Sequence, residues 1–279
     1  MSNWQSVETT DDPVEVMSSD LPREIAPGVT WMSSCLPLNL PSGVIHGHNA
    51  TYLVQGEHSS ILIDTGNPGA WNIISDALDE ALDGRELTYV FPTHPELPHT
   101  GNLPRLVQKY PNIQAFGDVR DYHLFYPQIV QNLQAQEPGF RVDLGGTEFV
   151  VQEALIRDLP NTQWGYVPEH GVLFTADGFC YTHRPELDDE DPLHFPGECG
   201  LTTDELSEPI AVENAAFYAG SAIYWARFAN DADAVYDRVV NLFDELGVRI
   251  VAPTHGNVIT NVKEVEPIIR AGHKRAYRY

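Results

Sequence analysis

Two imidazoles and a carboxylate fall within six residues, at His94, Glu96 and His99, inside the stretch Thr93-His94-Pro95-Glu96-Leu97-Pro98-His99-Thr100-Gly101. Neutral imidazole suits zinc and iron, and a carboxylate added to imidazole shifts preference toward harder, oxygen-preferring ions. Taken alone, the stretch also reads as a polar loop with two surface histidines. Partners elsewhere in the chain weigh against that. Asp158, Asp177 and His255 each follow a strand-like run, and residues at strand ends can converge on one edge of a sheet. Asp177 can bridge two cations with one oxygen to each, and Asp64, after another strand, can orient a ligand histidine from behind. Singly, Asp64 and Asp177 could cap turns and His255 could be a turn histidine; together they are much harder to dismiss and point to a metal site.

These residues need elements to hold them. Leu87 to Phe91 is an apolar run that predicts a buried strand, and Asn102 to Tyr110 predicts the helix after it. Earlier, Val29 to Cys35, Ala50 to Val54 and Ser60 to Ile63 read as strands. Between the first two lies a Pro- and Gly-rich loop ending in Ile45-His46-Gly47-His48-Asn49. Ile73, Ile74, Ala77, Leu78, Ala81 and Leu82 give residues 71–82 an amphipathic helical period. Further strands are predicted near 113–116, 140–144, 147–156, 171–175 and 248–252. Helices are predicted over 121–133, 207–228, 231–246 and 263–276. Residues 180–205 are rich in Pro, acid and His without a period, which suggests a lid or an interface excursion. Residues 1–25 form a polar, acidic, loosely held segment, and 26–279 read as one α/β domain with helices layered outside packed sheets.

Composition narrows the class. The chain has 279 residues, 40 acidic and 16 basic, for a net charge of -24. That balance argues against nucleic acid and against an anionic membrane surface. No 18-residue apolar run is present, and the N-terminus lacks the basic and apolar regions of a signal peptide. Cys35, Cys180 and Cys199 are scattered and include no CxxC, which fits a reduced, cytoplasmic setting.

Ile61-Leu62-Ile63-Asp64-Thr65-Gly66, the Thr93–Gly101 motif, Leu173-Phe174-Thr175-Ala176-Asp177 and Pro253-Thr254-His255-Gly256 together resemble the metallo-β-lactamase fold superfamily. The resemblance implies a four-layer αββα sandwich. The family's loop motif is usually HxHxDH; Glu96 at its second position is similar to the flavodiiron branch, which uses HxExDH and binds two irons. The resemblance implies His94, Glu96, Asp158 and Asp177 on one ion, and His99, Asp177 and His255 on the other. Two departures stand out. Asp158 falls where that branch has a histidine, with Asn161 as the competing alignment. Pro98 stands in place of the aspartate that binds the second metal.

Three activities follow. A metal-bound hydroxide could hydrolyse a small ester- or ether-type substrate, aromatic ones included, with Asp177 bridging and His46, His48 or His170 moving protons. This is the leading expectation, because stand-alone members of the fold are mostly hydrolases. The alternative is a non-haem diiron protein that binds or reduces O2 or NO with a separate electron donor. A third reading is a partner subunit with a decayed site. The cofactor expectation is two divalent ions, iron first, then manganese or zinc. Tyr122, Phe125, Tyr126, Trp164, Tyr166 and Phe179 are expected either to line an aromatic pocket or to belong to the core. A homo-oligomer or a complex with a related subunit is plausible by family resemblance.

Overall fold

The computed structural model describes residues 16–17, 21–40, 43–183, 198–206, 208–221, 223 and 231–276. Apolar runs of strand length assemble into two sheets. The first contains β1 (Val16–Met17), β2 (Arg23–Ala26), β3 (Val29–Leu40), β4 (Gly43–Gln55), β5 (Ser60–Ile63), β6 (Tyr89–Phe91), β7 (Gln114–Gly117) and β8 (Leu133–Ala135). Its order is β1-β3-β4-β5-β6-β7-β8, with β2 also on β3; pairing is antiparallel up to β5 and parallel from β5 to β8. The second runs β13-β12-β11-β10-β9, from β9 (Arg141–Asp143), β10 (Glu148–Glu153), β11 (Gln163–Val167), β12 (Val172–Phe174) and β13 (Ile250–Ala252).

The inner faces meet through Trp31, Tyr52, Phe91, Phe116, Phe149 and Phe174, which form one buried cluster. On the outer face of the first sheet pack α1 (Trp71–Leu82), α3 (Leu103–Lys109) and α4 (Tyr122–Phe125), with Leu78, Leu106 and Tyr122 in their shared core; the short α2 (Leu97–Thr100) comes between β6 and α3 in the chain. On the second sheet pack α5 (Val212–Ser221), α6 (Ala232–Leu246) and α7 (Val262–Ala276), through Tyr236, Val239, Phe243 and Ile269. The layering is therefore αββα, with each sheet buried on both faces.

Several elements differ from the sequence reading. The predicted loop before His46 is part of a long hairpin in which β3 and β4 pair from Val29↔Val54 to Leu40↔Gly43. Pro37 sits in it without loss. The N–H of its partner His46 points away from β3 and donates to the His183 carbonyl at 2.9 Å, so the Pro37–His46 pair is of the non-hydrogen-bonded type. The predicted helix 121–133 stops at Phe125, because Pro127 denies the preceding residue the helical conformation; Tyr126 has φ -131 and ψ 59, and a 3-10 turn, Pro127–Asn132, follows. β11 had no period to betray it, since all five residues are buried. Gly165 at its centre is required: a Cβ there would lie 2.4 Å from Phe149 Cζ.

The predicted helix 207–228 appears as Val212–Ser221; residues 207, 222 and 224–230 lie outside the described residues. So do 1–15 and 18–20 of the segment expected to be loosely held. Val16–Met17 lies within that segment and Arg23–Ala26 crosses its end, and both pair with β3. Of the expected lid, 184–197 also lie outside the described residues. No helix among the described residues is long and apolar enough to cross a membrane.

Candidate metal centre

The loops after β6, β12 and β13 all leave their strands at one edge of the sandwich, and the ligand-type residues meet there. His94 and His99 bracket the start of α2, where Pro98 fits a first helical turn that needs no proline N–H. Their rings stand 3.6 Å apart between centroids. His94 Nε2 is 3.4 Å from Asp158 Oδ2. His99 Nε2 and His255 Nε2 each lie 3.4 Å from Asp177 Oδ1. Donor atoms of His94, His99 and Asp177 are within 4.8 Å of one another, as are those of His94, Glu96, Asp158 and Asp177. Glu96 alone of these is exposed. The structure thus brings Asp158 against His94; Asn161 lies three residues on, buried in the turn that opens β11.

Asp64 organises the centre from behind. Its Oδ2 accepts from His99 Nδ1 at 2.8 Å and from the Thr254 hydroxyl at 2.7 Å, and its Oδ1 accepts from the Thr93 amide at 2.8 Å. Thr93 and Thr254 each directly precede a ligand-type histidine. The repeated Pro-Thr-His at 92–94 and 253–255 is a sequence signal that could have found both threonines. Asp64 (φ 56) and Ala176 (φ 50) occupy left-handed backbone conformations, local strain held by the surrounding fold beside Asp177. Tyr218, absent from the sequence reading, lays its ring 5.5 Å from that of His255.

The electrostatics favour a cation. Nε2 of His94, Nε2 of His99 and Oδ1 of Asp177 are buried and have no hydrogen-bond partner, an expensive state unless something positive joins them. Burial and the neighbouring His99 hold His94 down to about 3. Burial also disfavours the His99 imidazolium, but Asp64 and Asp177 outweigh it and push His99 up to about 10. Asp177 is held well below the carboxylate range, because His255, His99 and His94 overcome its burial. Asp158 is pushed up to about 6 by burial and by Asp177. Neutral imidazole lone pairs and carboxylates converging on one point are the donor set of a metal site, and the residues present fit two ions sharing Asp177.

The proton-moving histidines are placed otherwise. His46 and His48 are strand residues with no exposure, not solvated loop residues at a mouth. His170 lies in the β11–β12 turn, at the opposite end of those strands from Asp177, where its carbonyl accepts from Arg249 Nε at 3.1 Å. Of the six aromatics, Tyr122, Trp164, Tyr166 and Phe179 are core. Phe125 is 59% exposed, and Tyr126 pairs its hydroxyl with that of Thr100 at 2.9 Å.

The fold and this edge define a class. Residues 45–255 match the metallo-beta-lactamase superfamily, and the chain belongs to it. The chain is 26% identical over 258 residues to the coenzyme F420H(2) oxidase of Methanocaldococcus jannaschii, spanning 87% of this chain and 58% of that protein. It is 23% identical over 247 residues to the nitric oxide reductase of Moorella thermoacetica, spanning 84% and 57%. Among solved structures, the rubredoxin oxygen:oxidoreductase of Desulfovibrio gigas superposes with a TM-score of 0.68 at 16% identity, covering 91% of this chain and 61% of that one. A mutant of the Thermotoga maritima flavo di-iron protein gives 0.67 at 17%, covering 95% and 62%. The chain spans just under three-fifths of the length of these curated relatives. They are named as oxidases and reductases, which overturns the hydrolase expectation.

Proposed function

We propose that the chain is a diiron oxidoreductase module that binds and reduces a small diatomic, O2 or NO, with electrons delivered by a donor outside these 279 residues. The observation that carries this is the oxygen-rich set beside His94: Glu96, Asp158 and Asp177 with one imidazole favour iron over zinc. The oxidase and reductase names of the relatives support it. His94, Glu96, Asp158 and Asp177 would hold one ion, and His99, His255 and Asp177 the other. Iron bound there would supply the redox chemistry, passing the donor's electrons to the diatomic.

The protein's own part is orientation, exclusion of water and proton handling. Asp64 accepts a hydrogen bond from Nδ1 of His99, which keeps the proton on that nitrogen and turns Nε2 toward Asp177. His94, His99 and Asp177 are buried, which keeps bulk water from the reacting centre. Asp158 receives the Thr162 hydroxyl on Oδ1 at 2.9 Å, which fixes the carboxylate with its Oδ2 toward His94.

Elemental analysis of the purified protein with an absorption spectrum in air tests this, followed by chemical reduction without oxygen and separate exposure to O2 and NO. Two irons per chain, reoxidised by either gas, are expected; reoxidation by one gas alone identifies the substrate. Zinc in place of the two irons, iron inert to both gases, or no iron would overturn the proposal.

A further inference from the structure

A second group of ligand-type side chains lies buried on the far side of His48 from that centre. Cys35 on β3, His46 on β4 and Cys199 in the 3-10 turn Glu198–Gly200 bring their donor atoms within 4.8 Å of one another. His46 Nδ1 is 3.3 Å from Cys35 Sγ and 3.1 Å from Cys199 Sγ, and the two sulfurs are 3.4 Å apart. His183 Nε2 comes to 3.8 Å from Cys199 Sγ but stands outside that group of three, so it would have to move inward to complete a fourth position. All four side chains are buried. The sulfurs are reduced, since a covalent S–S bond spans about 2.05 Å.

These separations are those of donors around one small ion. Zn–S of about 2.3 Å and Zn–N of about 2.0–2.1 Å at tetrahedral angles put sulfurs about 3.8 Å apart and sulfur and nitrogen about 3.6 Å apart. The trio is a few tenths of an ångström tighter, so an ion would spread it slightly.

The hydrogen bonding around His183 prepares it as a ligand. Asn257 Nδ2 donates to the Leu201 carbonyl at 2.9 Å, which turns its Oδ1 toward His183. His183 Nδ1 must then carry the proton it donates to that Oδ1 at 2.6 Å. Its Nε2 is left with a lone pair facing Cys199, the arrangement that outer partners impose on metal-binding histidines.

We propose that Cys35, His46, His183 and Cys199 bind one zinc ion in a closed tetrahedral site, separate from the His94–Asp177 centre. Two thiolates and two imidazoles favour zinc among available divalent ions, and a full set of four protein ligands makes the site structural. Both thiol protons leave to solvent on binding. The ion ties His183 and Cys199, which flank residues 184–197, to the β3–β4 hairpin. It also steadies His255, because the Tyr181 amide donates to the His255 carbonyl at 3.1 Å and the Asn257 amide to the Tyr181 carbonyl at 2.9 Å.

The test uses the full chain, stripped with a chelator and titrated with Co2+ as a spectroscopic probe. A thiolate-to-cobalt charge-transfer band with intense visible bands is expected, saturating at one equivalent per chain. The bands should vanish in Cys35→Ser and Cys199→Ser, weaken in His183→Ala and persist in His94→Ala. Cobalt binding without the charge-transfer band, or bands that survive Cys199→Ser, would overturn the proposal. X-ray absorption of the unsubstituted protein with about three equivalents of zinc, enough to fill both centres, needs no variant to fold. Sulfur in the zinc shell is expected, and nitrogen and oxygen alone would overturn the site. Failure of the diiron proposal leaves these readouts unchanged, because they report sulfur ligation only.

Discussion

Nδ1 of His255 donates a hydrogen bond to the main-chain carbonyl of His48 at 2.6 Å. The donor follows β13 of one sheet and the acceptor lies in β4 of the other, so the bond crosses the sandwich and fixes which imidazole nitrogen faces Asp177. Because the acceptor is main chain, no substitution at His48 removes it. It depends on the backbone that carries His255.

That backbone is tight at Gly256, which has φ +108 and would place a Cβ 2.0 Å from the Tyr181 carbonyl oxygen. Gly256→Ala adds both a forbidden conformation and a main-chain clash, so a loss of about 2 kcal/mol or more is expected from the strain. Denaturant unfolding measures it. An unchanged midpoint would mean that the Tyr181–Gly256 contact is not maintained in solution.

His94→Ala and His255→Ala each remove a donor aimed at the cluster and leave the sheet ladders intact. Both variants should keep the far-ultraviolet circular dichroism of the parent and bind less metal by elemental analysis. Full occupancy in both would sink the ligand set. Glu96→His exchanges an oxygen donor for nitrogen and should shift competition between iron and zinc toward zinc.

Asp64 touches no ion in the proposed arrangement, yet Asp64→Asn should weaken metal binding about 10- to 100-fold, as the loss of an outer partner does. The same carboxylate, with Asp177, holds His99 at about 10, so the metal-free chain carries a proton there at neutral pH. A cation at Nε2 must displace that proton. Titrating metal into the stripped chain in weak buffer at pH 7 should therefore release acid, and Asp64→Asn should release less. Metal uptake without proton release would contradict the charge state.

His273 on α7 is buried, pairs its Nδ1 with the Tyr236 hydroxyl at 2.7 Å, and is held down to about 4 by burial. Its folded value lies below the ordinary 6.5, so the unfolded chain takes the proton first. Stability from this group is complete above 6.5, is lost as pH falls toward 4, and levels off below. The loss amounts to about 3 kcal/mol at most. His273→Gln should flatten this part of the stability profile; an identical slope would place the acid sensitivity elsewhere.

The sequence by itself determined the elements with a clear period or a clear stop. The residue pattern of α1 delivers 71–82 unaltered. The runs ending before His94, Asp177 and His255 are strands because apolar segments of that length must be buried, and the ligand-type residues follow where each strand ends. The superfamily was therefore legible from four short segments. Tertiary structure decided what depended on contacts between distant segments. β11 is buried on both faces and carries no alternation. The β3–β4 hairpin tolerates Pro37 only because its pairing register spares the missing N–H, and that register follows from packing of the whole sheet. His46 and Cys35 are eleven residues apart in the chain, but Cys199 joins them from 153 residues beyond His46. No local spacing announces such a cluster. Metal ligands on one loop leave a mark in sequence, whereas ligands gathered from separate strands and turns become visible only when the chain has folded.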